Sequence, residues 1–112
     1  MKRFVISLAA ALFALAGLAQ AQDIKIALIY GKTGAFEAYA KQTQAGLMLG
    51  LEYATGGTMT VLGRKIVIIE KDDQLKPDLA KSLLAQAYGD DKVDLAIGPT
   101  SSGSALAMLP VA

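Results

Sequence analysis

The stretch Ile24-Lys25-Ile26-Ala27-Leu28-Ile29-Tyr30 starts with alternating apolar and polar residues and ends as a continuous apolar run. This pattern predicts a strand that is buried on both faces, as in a parallel sheet. Gly31-Lys32-Thr33-Gly34 interrupts the run. From Phe36 to Tyr53 the apolar and small residues recur at helical spacing, which predicts a helix directly after the strand.

The alternation of strand and helix then continues to the end of the chain. Lys65–Glu70 is rich in β-branched residues and predicts a second strand. Pro77 stands at a first helical position, and Val93–Ile97 predicts a third strand before a helix from Ser104 to about Leu109. The predicted second helix has an apolar face formed by Leu79, Leu83, Leu84 and Ala87.

Parallel strands need crossover connections of this kind, and the crossovers are right-handed. The sequence therefore predicts the α/β class, with an open parallel sheet of three strands in the order 2-1-3 and flanking helices. A three-stranded sheet leaves an edge unpaired and buries little surface, so we expect the chain to be the amino-terminal part of a larger fold. A small natural domain or a dimer that covers this edge is the alternative.

Residues 1–21 have the three-part form of a secretory signal peptide. Two basic residues precede the apolar run Phe4–Leu18, and Ala19-Gln20-Ala21 places small residues at the two positions that a signal peptidase reads. Cleavage there leaves residues 22–112 as the mature chain. A transmembrane anchor is the alternative, but the run is shorter than the about 20 apolar residues that a span needs. We therefore expect export to a bacterial periplasm.

The composition excludes several classes of function. The chain has 11 Lys plus Arg against 10 Asp plus Glu, a net charge of +1, so no basic field favours nucleic acid. Cysteine and histidine are both absent, which removes a thiol nucleophile, the Ser-His-Asp triad and most transition-metal sites. We therefore expect a protein that is not an enzyme and needs neither a metal nor a cofactor.

Ligands of open α/β sheets bind beyond the carboxyl ends of the strands, where the direction of the chain across the sheet reverses. Two predicted loops, Gly31–Tyr39 and Gly98–Gly103, lie at that edge. In the second loop Thr100, Ser101 and Ser102 place hydroxyls beside the amides of a helix start, an arrangement that binds carboxylate or phosphate. An ordinary helix N-cap is the alternative, because Ser and Thr are common caps.

Other residues near this edge are open to two interpretations. Tyr39 lies one turn into the first helix, where it either covers the apolar part of a ligand or packs as an ordinary helix residue. Asp72 and Asp73 could indicate a metal or acid–base site, but a solvated turn and helix cap is the expectation. Gly31-Lys32-Thr33 is not a phosphate-binding loop, because Ile26 stands where that motif requires its first glycine. Lys32 is therefore expected to be a solvated loop charge.

The order and spacing of these segments resemble the leucine-binding family of periplasmic solute-binding proteins, which serve ATP-driven (ABC) importers. The resemblance covers Asp23–Ala112. It is carried by Ile24–Ala27, Thr33–Ala35 before Ala38–Ala40, Leu62–Ile66, Asp72–Asp73 followed by Pro77, and Ile97–Gly98 followed by Ser101–Gly103. The resemblance implies a type I periplasmic binding fold of two lobes, of which this chain forms part of the first.

The same resemblance implies a function. Ser102 matches a serine that binds the ligand carboxylate, with Thr100 and Ser101 assisting, and Tyr39 matches an aromatic residue that contacts the ligand body. The ligand would be a branched-chain or other amino acid or an aromatic acid, delivered to a membrane permease. Residues 29–34 and 51–55 are most similar to a subgroup that binds aromatic carboxylates. An exported sensor module of the same fold and an exported serine-dependent hydrolase are the alternatives.

Overall fold

The computed structural model describes residues 21–112. The predicted signal peptide, residues 1–21, lies outside the described residues except for its last one, so it stays a prediction. Within the described part, no helix is both long enough and apolar enough to span a bilayer.

Four strands and three helices follow one another along the chain. They are β1 (Ile24–Tyr30), α1 (Glu37–Ala54), β2 (Thr60–Val61), β3 (Arg64–Asp72), α2 (Pro77–Gly89), β4 (Leu95–Ile97) and α3 (Ser102–Met108). The sheet order is β2-β3-β1-β4, and β1 pairs in parallel with both β3 and β4. The predicted α/β class and the order of the three parallel strands are therefore confirmed, because β3 and β4 flank β1.

The expectation of a purely parallel, three-stranded sheet is wrong at one edge. The short strand β2 pairs with β3 in antiparallel fashion. Its hairpin turns at Leu62 and Gly63, which both have positive φ, +50° and +75°, as a two-residue type I′ turn requires. A strand of two residues is too short to show a period, so the sequence pattern indicated only the longer strand that follows the turn.

The central strand β1 buries both of its faces. On one face, Leu28 and Tyr30 pack with Ala40 of α1. On the other face, Ala27 and Ile29 pack against the helices α2 and α3. The buried residues of those two helices are Ala80, Leu84, Ala87, Ser104 and Met108. A sheet with helices on both faces results, as the continuous apolar run of β1 predicts.

Two details of the helices differ from the sequence prediction. The inward face of α2 is centred on Ala80 and Leu84, both buried, whereas Leu79 is only half-buried. Alanine has no side chain beyond Cβ, so Ala80 can be fully buried in the core cluster between α2 and the sheet. The last helix begins at Ser102 instead of Ser104.

The loop after β4 passes directly over β1. Gly98 has a φ of +129°, a conformation that side-chain-bearing residues rarely adopt. A Cβ atom at this position would overlap the carbonyl oxygen of Ile29. Only glycine therefore allows the chain to leave β4 at this angle, and the exit brings the loop after β4 beside the loop after β1.

The substitution Gly98→Ala tests this close approach. We expect it to lower the free energy of unfolding by at least about 3 kcal/mol, because overpacking against backbone and a strained φ act together. The matched control is Gly46→Ala in α1, where nothing lies within 4 Å of the added Cβ. The control should raise stability by about 0.5–1 kcal/mol, since alanine is the better helix former. Urea unfolding measures both, and equal effects would contradict the packing described here.

Candidate ligand-binding site

Two loops meet at the carboxyl edge of the sheet. We define residues 31–36, after β1, as the first ligand loop and residues 98–101, after β4, as the second ligand loop. They are neighbours because β1 and β4 pair directly, while β3 lies on the other side of β1. The crossovers therefore leave β1 in opposite directions across the sheet, which is where α/β sheets bind ligands. The Gly31 amide donates a hydrogen bond of 3.0 Å to Thr100 Oγ1 and joins the two loops.

The three hydroxyls of the second ligand loop and the start of α3 have different surroundings. Ser101 is the N-cap: its Oγ accepts a hydrogen bond from the Ser104 amide at 3.2 Å and donates one to Ser104 Oγ at 3.0 Å. Thr100 Oγ1 accepts the Gly31 amide. Ser102 is exposed, and no hydrogen bond of its side chain is found among residues 21–112. The N-cap interpretation therefore holds for Ser101, and the hydroxyl of Ser102 is available to a ligand.

An open cavity of about 460 Å³ lies between the start of α1 and the second ligand loop. Tyr39 and Thr100 both line it, together with Phe36, Thr43 and Pro99. The Tyr39 side chain is not packed into the core, since the residue is 65% exposed. The structure thus brings Tyr39 and Thr100 together at one cavity, whereas Ser101 and Ser102 are not among its lining residues.

Phe36 also lines this cavity, although the helical spacing of the sequence indicated it only as the start of the first helix. It is the N-cap residue of α1 and is 41% exposed. Its ring meets that of Tyr39 edge to face, with centroids 5.9 Å apart and planes at 89°. Such geometry is favoured by the quadrupoles of the two rings. The sequence signal that could have indicated this role is the presence of an aromatic residue three positions before Tyr39, at the helix boundary.

Asp72, the last residue of β3, binds the first ligand loop. Its Oδ2 accepts Thr33 Oγ1 at 2.6 Å, and its Oδ1 accepts the amides of Gln74 at 3.0 Å and Thr33 at 3.3 Å. Burial raises the pKa of the Asp72 carboxyl, but these hydrogen bonds favour the charged form more strongly and leave the pKa below its usual value. The carboxylate therefore stays ionised at neutral pH and holds Thr33.

Asp73 is fully buried, so the expectation of a solvated carboxylate is wrong at this position. Its Oδ1 accepts the Leu75 amide at 2.9 Å, and its own amide donates to the Tyr30 carbonyl at 3.0 Å. The predicted turn before α2 is present, but the second carboxylate forms its interior. Among the described residues, no cluster of three or more Asp, Glu, His or Cys side chains could hold a metal ion.

A second cavity, of about 370 Å³, lies on the other side of the first ligand loop, between α1 and β3. Glu70 organises it: Oε2 accepts the Tyr30 hydroxyl at 2.8 Å and Lys32 Nζ at 2.9 Å, and Oε1 accepts Gln44 Nε2 at 3.5 Å. Lys32 is thus a half-exposed ion-pair partner and not only a solvated charge. Sequence reasoning missed this network because its members come from four separate segments, namely β1, the first ligand loop, α1 and β3.

The network favours the charged forms of Glu70 and Lys32 and the neutral form of Tyr30. The hydrogen bonds from Lys32 and then Tyr30 lower the pKa of Glu70, and the bond to Glu70 raises the pKa of Lys32. Burial first, and then the hydrogen bond to the Glu70 carboxylate, raise the pKa of Tyr30 to about 12. Ionisation of a phenol that donates to a carboxylate would create two adjacent negative charges.

Because the pKa of Tyr30 is higher in the folded protein than in the unfolded chain, we expect the protein to lose stability at alkaline pH. The pKa rises on folding from 10.0 to about 12, so its contribution is complete below pH 10 and is lost as the pH rises through 12. Urea unfolding between pH 8 and pH 12 should show this decline. In Tyr30→Phe, which keeps the ring, stability at pH 8 should fall and the part of the decline that comes from this residue should disappear. An identical alkaline decline in both proteins would contradict the assignment.

The fold is an α/β lobe with a candidate site at the carboxyl edge of its sheet, and comparison with known proteins supplies its family. A family profile described as periplasmic binding protein matches residues 23–112. Because the match covers most of the chain, the protein belongs to the periplasmic binding protein family. A comparison with curated proteins finds no match.

Solved structures show which members of this family the chain is similar to. An ABC-type branched-chain amino acid transporter from Rhodopseudomonas palustris CGA009 is 72% identical, with a TM-score of 0.78, over 80% of this chain and 24% of that chain. A solute-binding protein from R. palustris BisB5, in complex with 3,4-dihydroxybenzoic acid, is 33% identical, with a TM-score of 0.71, over 80% of this chain and 24% of that chain.

A branched-chain amino acid binding protein from Streptococcus pneumoniae, in complex with isoleucine, is 25% identical, with a TM-score of 0.71, over 79% of this chain and 25% of that chain. The chain therefore spans about a quarter of the length of these relatives. The resemblance to branched-chain amino acid and aromatic-acid binding proteins is confirmed at the level of the family.

Proposed function

We propose that the chain supplies the first-lobe part of a ligand site in a substrate-binding protein of an ABC transporter. Such a protein binds a small carboxylate in the periplasm and delivers it to a membrane permease. Membership of the periplasmic binding protein family supports this role. The ligands of two relatives, isoleucine and 3,4-dihydroxybenzoic acid, share a carboxylate and differ in the group attached to it.

The observation that carries the proposal is that hydroxyl groups able to donate further hydrogen bonds and exposed aromatic rings occur together at one edge of the sheet. Ser102 would hold the carboxylate through its exposed hydroxyl. Thr100 Oγ1 already accepts the Gly31 amide, so its own proton is free to be donated to an anion. Hydrogen bonds to a charged acceptor are about twice as strong as neutral ones. Ser101 contributes by capping α3 and so fixing the position of its neighbours.

The body of the ligand would rest against Tyr39, with Phe36 as a second wall. Tyr39 is 65% exposed, and a large exposed ring beside a cavity of about 460 Å³ is a surface that a second lobe would cover on closing. Burial between lobes would exclude water from the carboxylate contact and strengthen it. An aromatic ligand gains an additional ring–ring interaction at this wall, which supports an aromatic acid as one ligand class.

The proposed role is binding without chemical conversion. The chain contains no histidine and no cysteine, so the usual general base and thiol nucleophile are absent from its sequence. The hydroxyl of Ser101, a nucleophile by residue type, is occupied by the helix cap. No cofactor is part of the proposal.

A two-lobed chimera tests the proposal. In it, residues 23–112 replace the matching quarter of the 72% identical R. palustris protein. Calorimetric titration with 3,4-dihydroxybenzoate and with isoleucine should detect binding of at least one of them. Ser102→Ala should weaken that binding about tenfold or more, because a hydrogen bond to a charged group contributes about 1.5–3 kcal/mol.

The control is Ser82→Ala, which removes an exposed hydroxyl of α2 that donates to the Asp78 carbonyl at 2.9 Å. It should leave affinity unchanged. A Ser102→Ala protein with the affinity of its parent would contradict the role of Ser102, and a parent chimera that binds neither compound would contradict the proposed function.

A further inference from the structure

The first ligand loop is attached to the second ligand loop on one side and to the end of β3 on the other, although it has no regular structure of its own. At its beginning, Gly31 is joined to Thr100 of the second ligand loop. Two residues later, Thr33 is joined to Asp72 at the end of β3. Exposed loops with few contacts usually fluctuate, and attachments on both sides restrict that motion.

The attachment to Asp72 fixes orientation as well as distance. Both carboxylate oxygens bind Thr33: Oδ2 accepts its hydroxyl at 2.6 Å and Oδ1 accepts its amide at 3.3 Å. The first of these distances is within the usual range for a hydroxyl that donates to a carboxylate, which is shorter than that of neutral hydrogen bonds. Asp72 is itself held, because Oδ1 also accepts the Gln74 amide at 3.0 Å. One carboxylate therefore links the backbone and side chain of Thr33 to the rigid end of a strand.

The residues that follow Thr33 transmit its position to the aromatic wall. Gly34 has a φ of +105°, and its carbonyl accepts the Glu37 amide at 3.1 Å, which starts α1. Phe36 is the N-cap, and its carbonyl accepts the Ala40 amide at 3.0 Å. The first turn of α1, which bears Tyr39, is thus built directly on the residues that Asp72 holds.

The neighbouring ion pair does not perform the same task. Lys32 Nζ reaches Glu70 at 2.9 Å, but its side chain is 56% exposed and the contact is made through a long flexible stem. Such a pair is screened by solvent and restrains the backbone weakly. The contact of Thr33 restrains the backbone directly, because it is made by the residue's own amide and by a hydroxyl that is only one carbon away from Cα.

We infer that Asp72 is a positioning residue: by holding Thr33 with both carboxylate oxygens, it sets the orientation of Phe36 and Tyr39 at the proposed ligand cavity. This inference rests on the proposed function for its effect on affinity. Its structural part concerns the order of the first ligand loop and stands without any ligand.

The experiment uses three variants of the two-lobed chimera. Thr33→Val removes the hydroxyl and keeps the branched shape, whereas Thr33→Ser keeps the hydroxyl. The control Thr60→Val makes the same threonine-to-valine substitution in the remote strand β2. We measure amide hydrogen exchange without ligand and calorimetric affinity for 3,4-dihydroxybenzoate and isoleucine. In Thr33→Val, exchange in the first ligand loop should rise about tenfold while exchange in β1 stays unchanged. Affinity should fall about tenfold, and Thr33→Ser should restore both values to within about twofold.

The outcomes separate this inference from the proposed function. A parent that binds neither compound overturns the proposed function, while the exchange measurement still tests the loop. Exchange in Thr33→Val that equals the parent's overturns the inference. The inference is also overturned if Thr33→Ser is as impaired as Thr33→Val, because the hydroxyl would then not be the relevant group, or if Thr60→Val reproduces the effect.

Discussion

The hydrogen bond from the Gly31 amide to Thr100 Oγ1 is the contact on which the proposed site depends. Its two residues are 69 positions apart in the chain and meet only because β1 and β4 are neighbours in the sheet. Gly98 makes the meeting possible, since any larger residue would overlap the carbonyl of Ile29. The small size of Gly98 therefore permits the hydrogen bond between the two loops, and this bond in turn places Thr100 at the cavity that it lines together with Tyr39.

Polar residues around this contact perform separate tasks that their residue types do not reveal. Ser101 caps a helix, Thr100 bridges two loops, and the hydroxyl of Ser102 faces solvent. Asp72 and Asp73 are adjacent, yet one holds a loop across the sheet and the other supports the interior of a turn. The different roles of these neighbouring residues follow from the direction in which each side chain points and from its exposure to solvent.

Much of the architecture could be predicted because it is encoded locally. The apolar run of β1, the glycines after it and the spacing of α1 gave the parallel sheet and the two loops at its carboxyl edge. The strand β2 could not be predicted, because two residues have no period and the pairing depends on a turn at Leu62 and Gly63. The inward position of Ala80 in place of Leu79 was also missed, since close helix–sheet approach depends on the packed partner.

The site was predicted less completely than the fold. Residue type and resemblance point to Ser102, Thr100, Ser101 and Tyr39. Only the folded structure distinguishes the hydroxyl that caps a helix from the one that bridges two loops and the one that is exposed. Phe36 is recognisable as a wall only after the helix boundary is known. The Glu70 network joins β1, β3 and α1 over up to 40 positions of sequence, a separation at which local patterns carry no information.

A crystal structure of the two-lobed chimera with its bound titrant would test the central claim most directly. The two loops are expected to form the anion side of the site, so the ligand carboxylate should lie within hydrogen-bond distance of Ser102 or Thr100, with its body against Tyr39. A ligand lodged in the cavity beside Lys32 and Glu70, or away from both loops, would contradict the account.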